Sequence, residues 1–291
     1  QTKMTAQARR NRFSEKKIKY TRMIRAHAEA ARNTNSAADV RLPRSEKEDK
    51  NSLTRMMRWG YFCIRTEKGC GCMAVIKTAI LQTHVYKEKS RNITQAAEIL
   101  FRPELQGTDL AVLPEMFCCP YENKYFPEYA EPERGDTWKK CSRLAAERGI
   151  YLVAGSMPER DEAGHIYNTS YVFDRNGHQI GKHRKMHLFD IDVKGGQYFK
   201  ESDTLTPGDQ VTVFDTEFGK IGLCICYDFR FPELARLMVD EGARVIIVPA
   251  AFNMTTGPLH WELMFRQRAV DNQVYTIGAA PARDLNAGYH S

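Results

Sequence analysis

The chain has 291 residues, 42% of them hydrophobic and 10% aromatic, enough for a substantial core in one large domain or two ordinary ones. Its net charge of +7 hides an asymmetry, because residues 1–72 hold 18 Lys/Arg against 7 Asp/Glu while residues 73–291 hold 25 against 29. No apolar run approaches the ~18 residues of a membrane span, and the N-terminal residues lack the apolar stretch of a secretory leader. The eight cysteines, Cys63, Cys70, Cys72, Cys118, Cys119, Cys141, Cys224 and Cys226, form no even framework in a short chain. They point to free thiols in a reducing compartment, so the expectation is cytoplasmic, with organellar import left open by the Arg-rich arm.

Residues 1–72 are polar and without sustained periodicity, and they read as a basic, mostly disordered extension with one short helix near 20–31. Such an arm could meet nucleic acid or an anionic surface. It has no recognisable binding module and few aromatics, so a nucleic-acid partner is not expected. Cys63, Cys70 and Cys72 lack a C-x-x-C pair and a fourth neighbour, and do not read as a zinc site.

From Met73 the pattern turns regular, and 73–291 reads as the functional domain. A strand is predicted over 74–81, a helix over 90–100, a strand over 109–113, a helix over 138–148 and a strand over 150–155. Strands over 167–174 and 179–183 flank Asn176-Gly177, a strong hairpin signal. Next come a short apolar strand ending at Cys226, a helix over 232–241 with Gly242 at its C′ position, a strand over 245–249, a helix over 260–272 and a strand over 274–279. Strands alternating with helices, plus hairpins, indicate an α/β sandwich with mixed sheets.

Cys226 follows the apolar run Ile221-Gly222-Leu223-Cys224-Ile225, and Phe231-Pro232-Glu233 opens the next helix. A thiol on that bend would sit near free backbone N–H groups and a helix N-terminus, which is expected to lower its pKa and make it a nucleophile. The alternative is a small buried core residue. A nucleophile needs a base and a charge stabiliser. Glu115 ends the strand Leu110-Ala111-Val112-Leu113-Pro114, at the edge where α/β folds place their chemistry. Lys185, just past the hairpin, could stabilise a developing oxyanion, and Glu201 could orient that lysine and keep it protonated. Taken singly, Glu115 could be a solvated loop residue and Lys185 a surface cation. His183 and His187 have the spacing of a metal pair but no acidic context, and read as solvated or structural.

The three motifs together resemble the nitrilase superfamily of carbon–nitrogen hydrolases. Leu113-Pro114-Glu115-Met116-Phe117 is similar to its glutamate motif, Arg184-Lys185-Met186-His187-Leu188 to its lysine motif, and Cys224-Ile225-Cys226-Tyr227-Asp228-Phe229-Arg230 to its cysteine motif. Blocks at 124–131, 187–193, 252–258 and 269–275 resemble the omega-amidase branch. The resemblance implies a four-layer α-β-β-α sandwich, a homodimer, no metal or organic cofactor, and catalysis by Glu115, Lys185, Cys226 and Glu201. It also implies a small-molecule amide substrate, the terminal amide of a short dicarboxylic keto acid. Arg230 would hold the far carboxylate unless it serves a structural ion pair, Thr256 would add a hydroxyl, the Tyr227 N–H would hold the oxyanion and Tyr121 would close the site. Family members continue for some tens of residues beyond the position of Ser291, so a fragment of a longer protein is expected. A sister amidase, a carbamoylase, a nitrilase, or a catalytically silent dimerisation or basic-arm protein are the competing readings.

Overall fold

The computed structural model describes residues 57–65, 73–192, 198–285, 287 and 289. All of them belong to one unit, Asp49–Ser291. The helix expected near 20–31 and Cys70 and Cys72 lie outside the described residues.

Two sheets form the body. In the first, strands β1 (Met57–Arg65), β2 (Met73–Leu81), β3 (Leu110–Val112), β4 (Tyr151–Arg160), β5 (Ile166–Phe173) and β6 (Gln179–Arg184) lie side by side in chain order. Strands β2, β3 and β4 are parallel, and β5 then runs against both β4 and β6. Strand β6 therefore points the same way as β3. A separate hairpin pairs β7 (Asp190–Asp192) with β8 (Tyr198–Lys200). The second sheet has the order β12 (Tyr275–Ala279), β11 (Val245–Pro249), β10 (Gly219–Leu223) and β9 (Val213–Thr216), with β10, β11 and β12 parallel.

Three apolar layers explain the stacking. Helices α1 (Lys89–Leu100) and α3 (Asp136–Arg148) press Ile93, Ala96, Ile99, Cys141 and Leu144 onto the outer face of the first sheet. Between the sheets, Ile76, Val112, Val153 and Val172 meet Phe214, Leu223, Ile247 and Ile277. Helices α4 (Pro232–Asp240) and α5 (Gly257–Asn272) cover the far side, where Leu234, Met238 and Phe265 pack on Ile246 and Val248. This is the expected α-β-β-α sandwich. Strands β3, β4, β5 and β11 bury both faces almost throughout, whereas β6 and the hairpin β7–β8 stay partly exposed.

Local chemistry sets the element ends. Gly149 closes α3 in the left-handed conformation, and Pro232 with Glu233 opens α4. At the β5–β6 turn, Asp174 accepts from the Asn176 and His178 N–H groups at 2.9 and 2.8 Å, and Gly177 turns at φ 81°. A Cβ at Gly177 would lie 2.5 Å from the Ser142 carbonyl, so the turn also needs glycine for space.

The extension over 1–72 needs one correction: Met57–Arg65 is a strand, paired antiparallel with β2 from Met57↔Leu81 to Arg65↔Met73. Its run Trp59, Tyr61, Phe62 and Ile64 favours strand, but the surrounding basic composition masks that signal. The ordered sheet therefore starts ahead of Met73. The short helix α2 (Phe126–Tyr129) and strands β7, β8 and β9 were not expected, being too short to show a period.

Candidate active site

The ends of β3 and β6 in the first sheet and of β10 in the second come together at one end of the sandwich. Glu115 lies three residues past β3, Lys185 directly follows β6, and Cys226 lies three residues past β10. Close backbone approach makes the first placement possible. Gly155 packs against the Pro114 carbonyl so tightly that a Cβ there would lie 2.1 Å from it. Ser156 then holds the turn, its hydroxyl oxygen accepting from Met116 N–H at 2.9 Å and its carbonyl from Phe117 N–H at 3.2 Å.

Lys185 is completely buried between two completely buried carboxylates, with Nζ 2.9 Å from Glu115 Oε1 and 2.8 Å from Glu201 Oε2. Asn168 on β5 donates from Nδ2 to Glu115 Oε1 at 2.8 Å. Tyr121 donates its hydroxyl to Glu201 Oε1 at 2.6 Å, and Phe189 N–H donates to Glu201 Oε2 at 2.6 Å. Tyr121 is thus engaged within the carboxylate network rather than free to close over the site. Burial alone would push the Lys185 ammonium down, but Glu115 and Glu201 together hold it well above its usual value. Burial raises the Glu201 carboxyl, with Lys185 opposing.

The two oxygens of Glu115 differ. Oε1 receives Lys185 and Asn168, whereas Oε2 is buried with no hydrogen-bond partner. A buried acceptor without a donor is costly, and here it belongs to the carboxylate that interacts directly with the Cys226 thiol. Cys226 itself stands at φ 47° at the head of a short 3₁₀ helix, Cys226–Arg230. Left-handed backbone at a non-glycine residue stores strain, and at this position it aims the side chain at Glu115 and Lys185.

The expected fall in the thiol pKa is not what the structure shows. Burial pushes the Cys226 thiol well above its usual value and Glu115 adds to this, while Lys185 and the Ala251 backbone oppose it. The helix that was to lower it begins only at Pro232, and the thiol is just 6% exposed, so desolvation of the thiolate wins. A thiol pKa raised in this way leaves Cys226 in need of a neighbouring base to take its proton.

Arg230 and Thr256 also meet, with Nη2 donating to Thr256 Oγ1 at 3.4 Å. The second guanidinium nitrogen reaches His260 Nδ1 at 2.9 Å, and no carboxylate among the described residues pairs with Arg230. The Tyr227 ring lies 5.6 Å from the guanidinium and packs edge-on against Phe189 and Phe231. Asn168, His260 and Tyr289 were missed in the sequence. The Tyr289 ring packs tilted against Tyr121, centroids 4.6 Å apart, and its hydroxyl donates to the Ala251 carbonyl at 3.0 Å. Thr256 and His260 are four apart, so a helix started at Gly257 rather than at 260 would have put His260 beside Arg230's partner. His183 is wholly buried and His187 partly so, and both contact Asp228, which is the structural alternative of the two. No group of three or more metal-ligating side chains occurs among the described residues.

The site thus brings together a buried amine, two buried carboxylates and a thiol on strained backbone. Residues 77–291 match the family model for Carbon-nitrogen hydrolase, and the chain belongs to that family. It is 50% identical to omega-amidase NIT2 of Bos taurus over 217 residues, which is 75% of this chain and 78% of the relative. Omega-amidase NIT2 of Homo sapiens is 49% identical over the same shares of the two chains. Among solved structures, Saccharomyces cerevisiae Nit3, a member of branch 10 of the nitrilase superfamily, superimposes with a TM-score of 0.69 at 44% identity. That comparison covers 74% of this chain and 79% of the other. The C. elegans NitFhit protein gives 0.68 at 30% identity, over 74% and 53% of the two chains.

Proposed function

We propose that the protein is an omega-amidase that hydrolyses short dicarboxylate keto-acid monoamides such as 2-oxoglutaramate and 2-oxosuccinamate to the dicarboxylate and ammonia. The observation that carries the substrate class is Arg230, a cation near the nucleophile turn with Thr256 and His260 beside it and no acidic partner among the described residues. Its planar fork suits a carboxylate at the far end of the substrate.

In this reading Glu115 Oε2 takes the Cys226 proton as sulfur attacks the amide carbonyl. The carbonyl electrons move to oxygen, held by Lys185 Nζ and the Tyr227 N–H. Collapse breaks the C–N bond, Glu115 returns the proton to nitrogen, and ammonia leaves a thioester. Glu115 then deprotonates water, whose attack releases the acid and the thiol. Glu201 and Asn168 hold the amine and the base in place; they do not touch the reacting atoms.

The direct test is mass-spectrometric detection of a thioester on Cys226 after rapid quenching with 2-oxoglutaramate, alongside rates on amide, carbamoyl and nitrile substrates. Preference for a nitrile or carbamoyl substrate would replace the reading with a sister activity. Arg230→Leu is expected to raise KM for 2-oxoglutaramate by about 10²-fold, the loss of a bidentate charged pair, with little change for a neutral amide. Equal effects on both substrates would remove Arg230 from the pocket.

A homodimer is part of the same reading. Helix α5 exposes Leu259, Leu263 and Val270 on one face, an apolar stripe on an otherwise charged helix. Leu263→Asp is expected to yield a monomer by analytical ultracentrifugation, and an unchanged sedimentation coefficient would count against that face.

A further inference from the structure

Arg230 closes the short 3₁₀ helix that Cys226 opens, so thiol and cation share one short turn. Helix α5 grips the end of that turn at two points. Arg268 Nη2 donates to the Arg230 carbonyl at 3.2 Å, and His260, in the first turn of α5, meets Arg230 Nη1 through its Nδ1 at 2.9 Å. A guanidinium carries donors only, so the imidazole nitrogen is the acceptor of that contact. Nη2 reaches Thr256 Oγ1 at the longer 3.4 Å. Thr256 is itself fixed by Asn253 Oδ1, which accepts from its N–H at 2.9 Å and its hydroxyl at 3.0 Å. The Phe252 ring centre lies 5.2 Å from the guanidinium carbon.

The chemistry at position 260 matters because Arg230 has no acidic partner among the described residues. A carboxylate there would orient the fork but also cancel its charge, leaving little attraction for an anionic substrate. An arginine held by nothing would keep its charge and lose its rotamer freedom on binding, at a cost in affinity. An imidazole nitrogen orients the fork and brings no negative charge. The N–H groups that His260 and Thr256 do not take stay available for a ligand.

We propose that His260 is a specificity-determining residue that acts through Arg230. It fixes one guanidinium nitrogen so that the remaining N–H groups meet the carboxylate at the far end of the substrate. It is a positioning residue, since it does not touch the reacting atoms. The proposal rests on the omega-amidase reading and adds to it the group that makes Arg230 selective for an acid.

The experiment measures kcat and KM in His260→Leu, His260→Asn and Arg230→Leu of the full chain. The substrates are 2-oxoglutaramate and pentanamide, an amide of the same carbon number with no carboxylate. His260→Leu is expected to lower the preference for 2-oxoglutaramate, as a ratio of kcat/KM values, about tenfold and through KM. His260→Asn puts an amide oxygen where Nδ1 stood and is expected to keep that preference within about threefold of the wild type. A histidine that merely packed would lower the melting temperature and move both substrates alike, which overturns the proposal. So does a preference that survives His260→Leu but not Arg230→Leu, or one that His260→Asn fails to restore. A preference that survives Arg230→Leu ends the substrate reading itself, and the proposal with it. Should His260→Leu not fold, His260→Gln places its amide oxygen nearer the site of Nε2 and is expected to show the same loss. An intact preference in that variant overturns the proposal.

Discussion

Cys226→Ala is expected to lower kcat by at least about 10⁴-fold while leaving the fold intact. The thiol is the atom through which the acyl group would pass, and its neighbour Cys224 cannot replace it, being completely buried among Leu234, Met238 and Ile246. The structural cost is small, because the change deletes one atom at a position that already bears the strain of φ 47° with a Cβ present. Cys226→Ser should be nearly as poor, since an alcohol resists transfer of its proton to Glu115 far more than a thiol does. Ammonia release from 2-oxoglutaramate measures the loss, and circular dichroism checks the fold. Turnover within tenfold of the wild type would end the thioester reading.

Lys185→Met is expected to cost about 3–5 kcal/mol of stability and to lower kcat by about 10²–10³-fold. The ammonium sits 2.9 and 2.8 Å from two fully buried carboxylates, and its removal leaves Glu115 and Glu201 facing each other without a cation. Burial and repulsion from Glu115, no longer opposed by Lys185, then raise the Glu201 carboxyl further above the ~4.3 of an unfolded glutamate. A raised carboxyl contributes stability below the unfolded value and loses it as pH rises through the folded one. The stability gap to the wild type should therefore be small near pH 4 and widen toward neutrality. In the wild type the Lys185 pKa is raised, so its contribution persists across that window and declines only in alkali. Urea titrations from about pH 4 to 8 read the gap, and one that is flat with pH would show that the carboxylates were not held apart by the amine.

Glu115, Lys185 and Cys226, the three proposed to react, share one property that was legible in sequence: each lies just past the end of a strand. Glu115, Lys185 and Cys226 follow β3, β6 and β10, and the order of their motifs is what makes them recognisable. Asn168 had no such mark. In Ile166-Tyr167-Asn168-Thr169-Ser170 it reads as one more polar residue in a strand, although its amide donates to Glu115 Oε1 at 2.8 Å. Asp228 was visible inside the cysteine motif, but its donors come from segments about forty residues away. The thiol expectation failed for a related reason. Proximity to a helix N-terminus can be read along the chain, whereas the depth of burial that outweighs it cannot.

What the amino-acid order determined by itself was the alternation of strands and helices, the Asn176-Gly177 turn, the sandwich class and the three side chains proposed here to react. All of these follow from short-range periodicity, turn stereochemistry and motif spacing. Tertiary structure alone decided which oxygen of Glu115 is free, that Arg230 stands without an acid among the described residues, that β1 joins the first sheet, and that His183 is buried against Asp228. Those facts depend on desolvation and on distances between segments remote in the chain, and neither quantity exists until the sheets have packed.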